Sequence, residues 1–176
     1  KEGIDWIEQK TKKDVFGVLP WYNHITIEAE DSVVIENPSK VSDRDINTPA
    51  IAVIRIPHIS NFTSFSPLSA NQERDVYFIE QPQALHPFQA AILPGSKNTL
   101  YDLKWLNKTG WSDKLVSYVD QGGYILGICG GYQMLGKNVH DPTGLEGRPG
   151  TRQGLSLLPV ETVLKAPKTT TLTRFS

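Results

Sequence analysis

Cys129 is the only cysteine in the chain, and the residues around it suit a nucleophile. An apolar run, Tyr124 to Ile128, leads into it. Gly127 lies two residues before it, Gly131 two after, and Gly130 between. This G-x-nucleophile-x-G spacing is that of a nucleophile elbow, in which a buried strand ends, the chain turns sharply and a helix begins. A side chain held in so strained a turn needs small neighbours on both sides. Amide groups at the start of the following helix would face a tetrahedral oxyanion formed at the sulfur. The alternative is a structural cysteine buried beside a tight strand–helix turn.

Positioning such a residue takes a sheet. Ala50–Ile56, Asp75–Ile79, Ala90–Leu93 and Tyr124–Ile128 read as strands, the first nearly continuous in apolar residues, as in strands covered on both faces. Leu100, Leu103 and Leu106 recur every three residues and predict a short helix closed near Gly110. Ser112 is placed to cap the next helix and Gly122 to end it, with Leu115, Val116 and Val119 as its apolar face. Strands alternating with helices predict an α/β fold: an open, mostly parallel sheet with helices on both faces. Loops at the carboxyl ends of its strands would bring His58, Gly95 and Cys129 to one edge. His58 reads equally as a histidine that stabilises its loop.

The flanks are less regular. Ile4 and Ile7 allow a short amphipathic helix, Val15–Leu19 reads as a short strand stopped by Pro20, and Glu28, Glu30 and Asp31 as a solvated acidic loop. Pro67 argues against a helix after Thr63. Beyond Gly136 the chain loosens, with a short apolar segment at Gly154–Leu158 and the start of another strand at Thr169–Ser176.

Bulk properties restrict the function. With 176 residues the chain can bury one good core. A formal net charge of -1, from 18 basic and 19 acidic residues, offers no field for nucleic acid. No Cys/His spacing resembles a metal site, a lone cysteine excludes an internal disulfide framework, and a free thiol suits a reducing cytoplasm. No apolar run is long enough for a membrane span. Gly95-Ser-Lys97 lacks the upstream glycine and the Gly-Lys-Ser/Thr order of a P-loop.

Five segments together resemble the cobyric acid synthase family, CobQ type. They are Gly127-Ile-Cys-Gly-Gly-Tyr-Gln-Met-Leu-Gly136, Leu93-Pro-Gly-Ser-Lys-Asn-Thr99, Arg55-Ile-Pro-His-Ile-Ser-Asn-Phe-Thr63, Gly154-Leu-Ser-Leu-Leu-Pro-Val-Glu-Thr162, and Gly17-Val-Leu-Pro20 with Glu28-Ala-Glu-Asp31. The resemblance implies a class I glutamine amidotransferase domain over residues 44–176. Residues 1–43 would be the tail of an ATP-dependent synthetase domain and its connector. ATP and Mg would serve that other domain, and this segment would hold no cofactor.

The activity implied is glutamine-dependent amidation of carboxylates on a corrinoid, adenosylcobyrinic a,c-diamide, in cobalamin biosynthesis. Cys129 would attack glutamine to give a thioester, Gly95 and Gly130 would form the oxyanion hole, and Gln133 would help hold glutamine. In the family, the thiolate is paired with a histidine near the domain's C-terminus. His24, His58, His86 and His140 do not match that motif, so the chain is expected to stop before it. A cobyrinic acid a,c-diamide synthase-type amidotransferase, another cysteine hydrolase, and a binding or scaffold domain without chemistry are the competing readings.

Overall fold

Four short strands form the sheet that carries the site. They are β1 (Ala50–Ile54), β2 (Asp75–Ile79), β3 (Ala90–Leu93) and β4 (Tyr124–Gly127). A computed structural model describes residues 2–18, 48–70 and 73–167. All pairings in this sheet are parallel, in the order β2-β1-β3-β4. β1 and β3 lie at its centre, and Ala52, Val53, Ile54, Ala91, Ile92 and Leu93 are almost wholly buried. That explains their unbroken apolar sequence: a strand covered on both faces has no polar side to alternate with.

The order 2-1-3-4 contains a switch point. From β1 the chain crosses to one side of the sheet, and from β3 to the other. Right-handed crossovers therefore place the intervening helices on opposite faces. In open α/β sheets ligands bind at such a point, which here is the carboxyl ends of β1 and β3, where the two paths diverge.

Before the sheet, α1 (Glu2–Thr11) is helical as expected, with no buried residue. After β1 a 3-10 turn (Phe62–Phe65) runs into α2 (Ser66–Ser69). Pro67 does not interrupt this helix. It stands in the first turn, where its missing N–H has no intrahelical partner to lose.

After β3 come α3 (Thr99–Thr109) and α4 (Trp111–Asp120), joined through Gly110 at φ 85°. The buried stripe of α3 is Thr99, Asp102, Leu103 and Leu106, residues three and four apart along one helix face, and Leu100 is only half-buried. The core face of α4 is Trp111, Leu115 and Tyr118, whereas Val116 and Val119 lie at its margin. Ser112 does not cap α4. Gly110 occupies the cap position, and the Ser112 hydroxyl donates to Asn107 Oδ1 at 2.6 Å.

α5 (Gly130–Leu135) follows the elbow. The chain then builds a second sheet that the sequence reading missed, from β5 (Asn138–Asp141), β6 (Gly150–Gln153) and β7 (Glu161–Val163). Its order is β6-β5-β7, with one antiparallel and one parallel pairing. Gly154–Leu158 is loop, with Leu155 buried in the core. Residues 13–18 form no strand, contrary to the reading of Val15–Leu19 as far as Val18. Leu19, Glu28, Glu30, Asp31 and Thr169–Ser176 lie outside the described residues.

Candidate active site

The turn between β4 and α5 is strained at Cys129. Cys129 sits at φ 50°, ψ −110°, a conformation that L-residues rarely adopt, and it is solvent-exposed. Such backbone strain costs about 1–3 kcal/mol and persists only where the surroundings enforce it. Here they do. Ile128 N–H donates to the Leu93 carbonyl at 3.0 Å, extending the β3–β4 ladder to the residue before the cysteine. Gly131 N–H donates to the Ile128 carbonyl at 2.8 Å, and Gln133 N–H to the Cys129 carbonyl at 3.1 Å. The turn is closed on both sides of the thiol.

Gly131 is required by close packing. A Cβ on it would run into the Leu93 carbonyl and come within 2.7 Å of the Pro94 oxygen. The elbow helix thus lies directly against the turn Pro94-Gly95-Ser96 at the end of β3. A Cβ on Gly95 would stand 3.7 Å from the Cys129 Cβ. Gly95 is therefore beside the cysteine, as the carboxyl-end argument requires.

Gly95 and Gly130 are both buried. Neither of their N–H groups has an acceptor among the described residues. Buried backbone donors are nearly always paired. Two orphan donors flanking an exposed thiol are a place where negative charge would be stabilised.

The loop after β1 is stitched to this corner. Ser60 N–H donates to the Gly95 carbonyl and Lys97 N–H to the His58 carbonyl, each at 2.8 Å, and Ile59 bridges Ser96. Asp102, fully buried on α3, fastens both segments. Its Oδ1 lies 2.9 Å from His58 Nδ1 and accepts from His58 N–H at 3.3 Å, and its Oδ2 accepts from the Ser96 hydroxyl at 2.6 Å. The His58 ring also meets Tyr101 edge-on at 4.6 Å. The structure thus shows His58 in a loop-fastening arrangement. Asp102 was legible only as an acid on the apolar stripe of α3, at the i+3 position from Thr99.

Gln133 is half-buried one turn beyond the cysteine. The Thr99 hydroxyl lies 3.4 Å from Gln133 Oε1 and 3.3 Å from Glu146 Oε1. Glu146 Oε2 accepts from Thr99 N–H at 2.6 Å and from Leu100 N–H at 3.4 Å, satisfying the first turn of α3. Glu146 is itself placed by Asp141, whose carboxylate accepts from Leu145 N–H at 2.8 Å and Glu146 N–H at 2.9 Å. Those backbone donors, Glu146 first, hold the Asp141 carboxyl below its ordinary range against the opposing effect of burial. Thr99, Glu146 and Asp141 were not singled out from sequence, because they come together only when the loop after β5 folds over the start of α3.

The remaining described histidines stand apart from these contacts. His140 on β5 pairs with Thr151 Oγ1 at 2.9 Å, and His86 is exposed in the loop before β3. Among the described residues no group of three or more His, Cys, Asp or Glu could hold a metal ion. No described helix is long and apolar enough to cross a membrane.

The chain resembles known proteins over most of its length. Cobyric acid synthase of Chlorobaculum tepidum is 43% identical over 170 residues, which is 94% of this chain and 33% of that protein. Cobyric acid synthase of Chlorobium phaeobacteroides strain BS1 is 45% identical over 168 residues, 95% of this chain and 34% of that protein. The chain thus spans about a third of the length of the curated relatives it matches. Residues 50–175 match the family of CobB/CobQ-like glutamine amidotransferase domains. With that match over most of its residues, the chain belongs to the CobB/CobQ-like glutamine amidotransferase domain family.

Proposed function

We propose that this chain is the glutamine amidotransferase portion of a cobyric acid synthase, and that Cys129 is its nucleophile. The observation that carries the reading is the exposed thiol at φ 50° between two buried, unpartnered glycine N–H groups. The sulfur would attack the side-chain amide carbon of glutamine, moving the carbonyl electrons onto oxygen. Gly95 and Gly130 N–H would stabilise that oxyanion. On collapse the C–N bond breaks, the nitrogen takes up the proton given up by the thiol and leaves as ammonia, and a glutamyl thioester remains. Water then releases glutamate and restores the thiol. Gln133, oriented by Thr99, would hold the substrate beside the sulfur.

Proton transfer normally adds about 10²–10⁴-fold. None of the described histidines, His58, His86 and His140, is hydrogen-bonded to Cys129, so we infer that the general base comes from outside the described residues. Residues 1–43 would belong to a synthetase domain and its connector. ATP and Mg would be used there, with the carboxylates of adenosylcobyrinic a,c-diamide as acceptors, in the cytoplasm.

The test uses the full-length protein that contains this segment. Glutamine should support amidation and glutamate release, and Cys129→Ser should abolish both while leaving amidation from added ammonium salt. Loss of the ammonium-dependent reaction as well, in a folded variant, would contradict a role confined to glutamine.

A further inference from the structure

We propose that the Ser60 hydroxyl is a third hydrogen-bond donor to the reacting carbonyl at the elbow, beside the Gly95 and Gly130 N–H groups. The proposal rests on the reading of Cys129 as a nucleophile toward glutamine. Ser60 lies in the loop after β1, at the switch point of the sheet. Its backbone is tied to the turn after β3: its own N–H is bonded to the Gly95 carbonyl at 2.8 Å, part of the bridge between Ile59 and Ser96. With a one-carbon side chain, a fixed backbone leaves the hydroxyl little room to wander.

Ser60 Oγ lies 2.5 Å from the point a Cβ on Gly95 would occupy, and that point is 3.7 Å from the Cys129 Cβ. The hydroxyl, the open face of Gly95 and the carbon bearing the sulfur therefore border one small space. Only glycine at position 95 leaves it open.

The hydroxyl is half-buried and makes no hydrogen bond with any described residue. A serine O–H with no protein partner can rotate its proton toward whatever acceptor arrives. The acceptor that the chemistry brings there is the carbonyl oxygen of the reacting amide. As the C–S bond forms, the carbonyl electrons move to oxygen, and the Ser60 O–H donates to the oxyanion. When the C–N bond breaks, the carbonyl re-forms. Ser60 keeps its proton throughout.

The test compares two electrophiles on the 176-residue chain. A chloromethyl ketone analogue of glutamine alkylates the thiol through a tetrahedral adduct, whereas iodoacetamide alkylates it by direct displacement without an oxyanion. Removing a principal oxyanion donor lowers rates by about 10²–10³. With both glycine donors still present, Ser60→Ala is expected to lower the limiting rate of chloroketone labelling by about tenfold or more. The half-saturating concentration and the iodoacetamide rate should stay unchanged. Gly95→Ala, whose methyl would displace the hydroxyl, should also slow chloroketone labelling, and should add less in the Ser60→Ala background. Chloroketone labelling of Ser60→Ala at the parent rate would overturn the proposal, as would a parallel fall in both electrophiles' rates, which marks a structural role. If the parent chain reacted with iodoacetamide but not with the chloroketone, the reading of Cys129 would fail first, and the Ser60 proposal with it.

Discussion

At the scale of single residues, the site depends on a strained cysteine and the glycines that allow it. Cys129→Gly removes a side chain from a backbone that disfavours one, and should raise stability by about 1 kcal/mol, the strain relieved exceeding the entropy lost. Cys129→Ser keeps the strain and should melt near the parent. Urea denaturation of the two variants checks this, and a destabilised Cys129→Gly would contradict it. Gly131→Ala drives a methyl into the Leu93 carbonyl and should cost about 2 kcal/mol or more, read by the same experiment. These positions were legible in the sequence, because glycine at fixed offsets from a cysteine encodes backbone geometry directly. Ser60 was not, because nothing local marks a serine whose neighbours in space are Gly95 and Cys129.

At the scale of elements, the loops are held by buried carboxylates. Asp102 joins α3 to the loop after β1 and the turn after β3. Asp102→Ala leaves His58 N–H and the Ser96 hydroxyl without their acceptor, and should destabilise by about 2–3 kcal/mol in chemical denaturation. Loss below 1 kcal/mol would show that the loops hold without it. Asp141 acts through pH. The backbone donors, Glu146 N–H first, hold its carboxyl below the ordinary aspartate range in the folded state, so its contribution is complete above that range and is lost as pH falls through the lower folded value. Asp141→Asn should therefore flatten the fall in melting temperature at pH values below the ordinary aspartate range, and an unchanged acid limb would contradict it.

The strands β1 to β4 were readable because covered strands are short, apolar and bounded by turns. The helix faces were only partly readable. Counting leucines on α3 hid Asp102 on the buried stripe, and counting valines on α4 missed Trp111 and Tyr118. The second sheet was not visible at all: β6 is Gly-Thr-Arg-Gln with every residue exposed, so no hydrophobic period announces it.

For the whole molecule, the fold class followed from strand–helix alternation, and the order β2-β1-β3-β4 explains why three loops from different parts of the sequence converge. Among the described residues β4 pairs only with β3, and Tyr124 and Leu126 on it are 77% and 57% exposed. A sheet edge that carries exposed large apolar side chains favours association. Sedimentation should show concentration-dependent assembly that Leu126→Lys reduces, whereas a parent chain monomeric at all concentrations would contradict this. The most direct test of the central claim is glutamine-protected labelling of the 176-residue chain by the chloroketone analogue, located by peptide mass spectrometry. The expected result is modification at Cys129, slowed by glutamine and unaffected by norleucine, an amide-free analogue of glutamine. Modification elsewhere, or labelling of Cys129 that glutamine does not slow, would contradict the account.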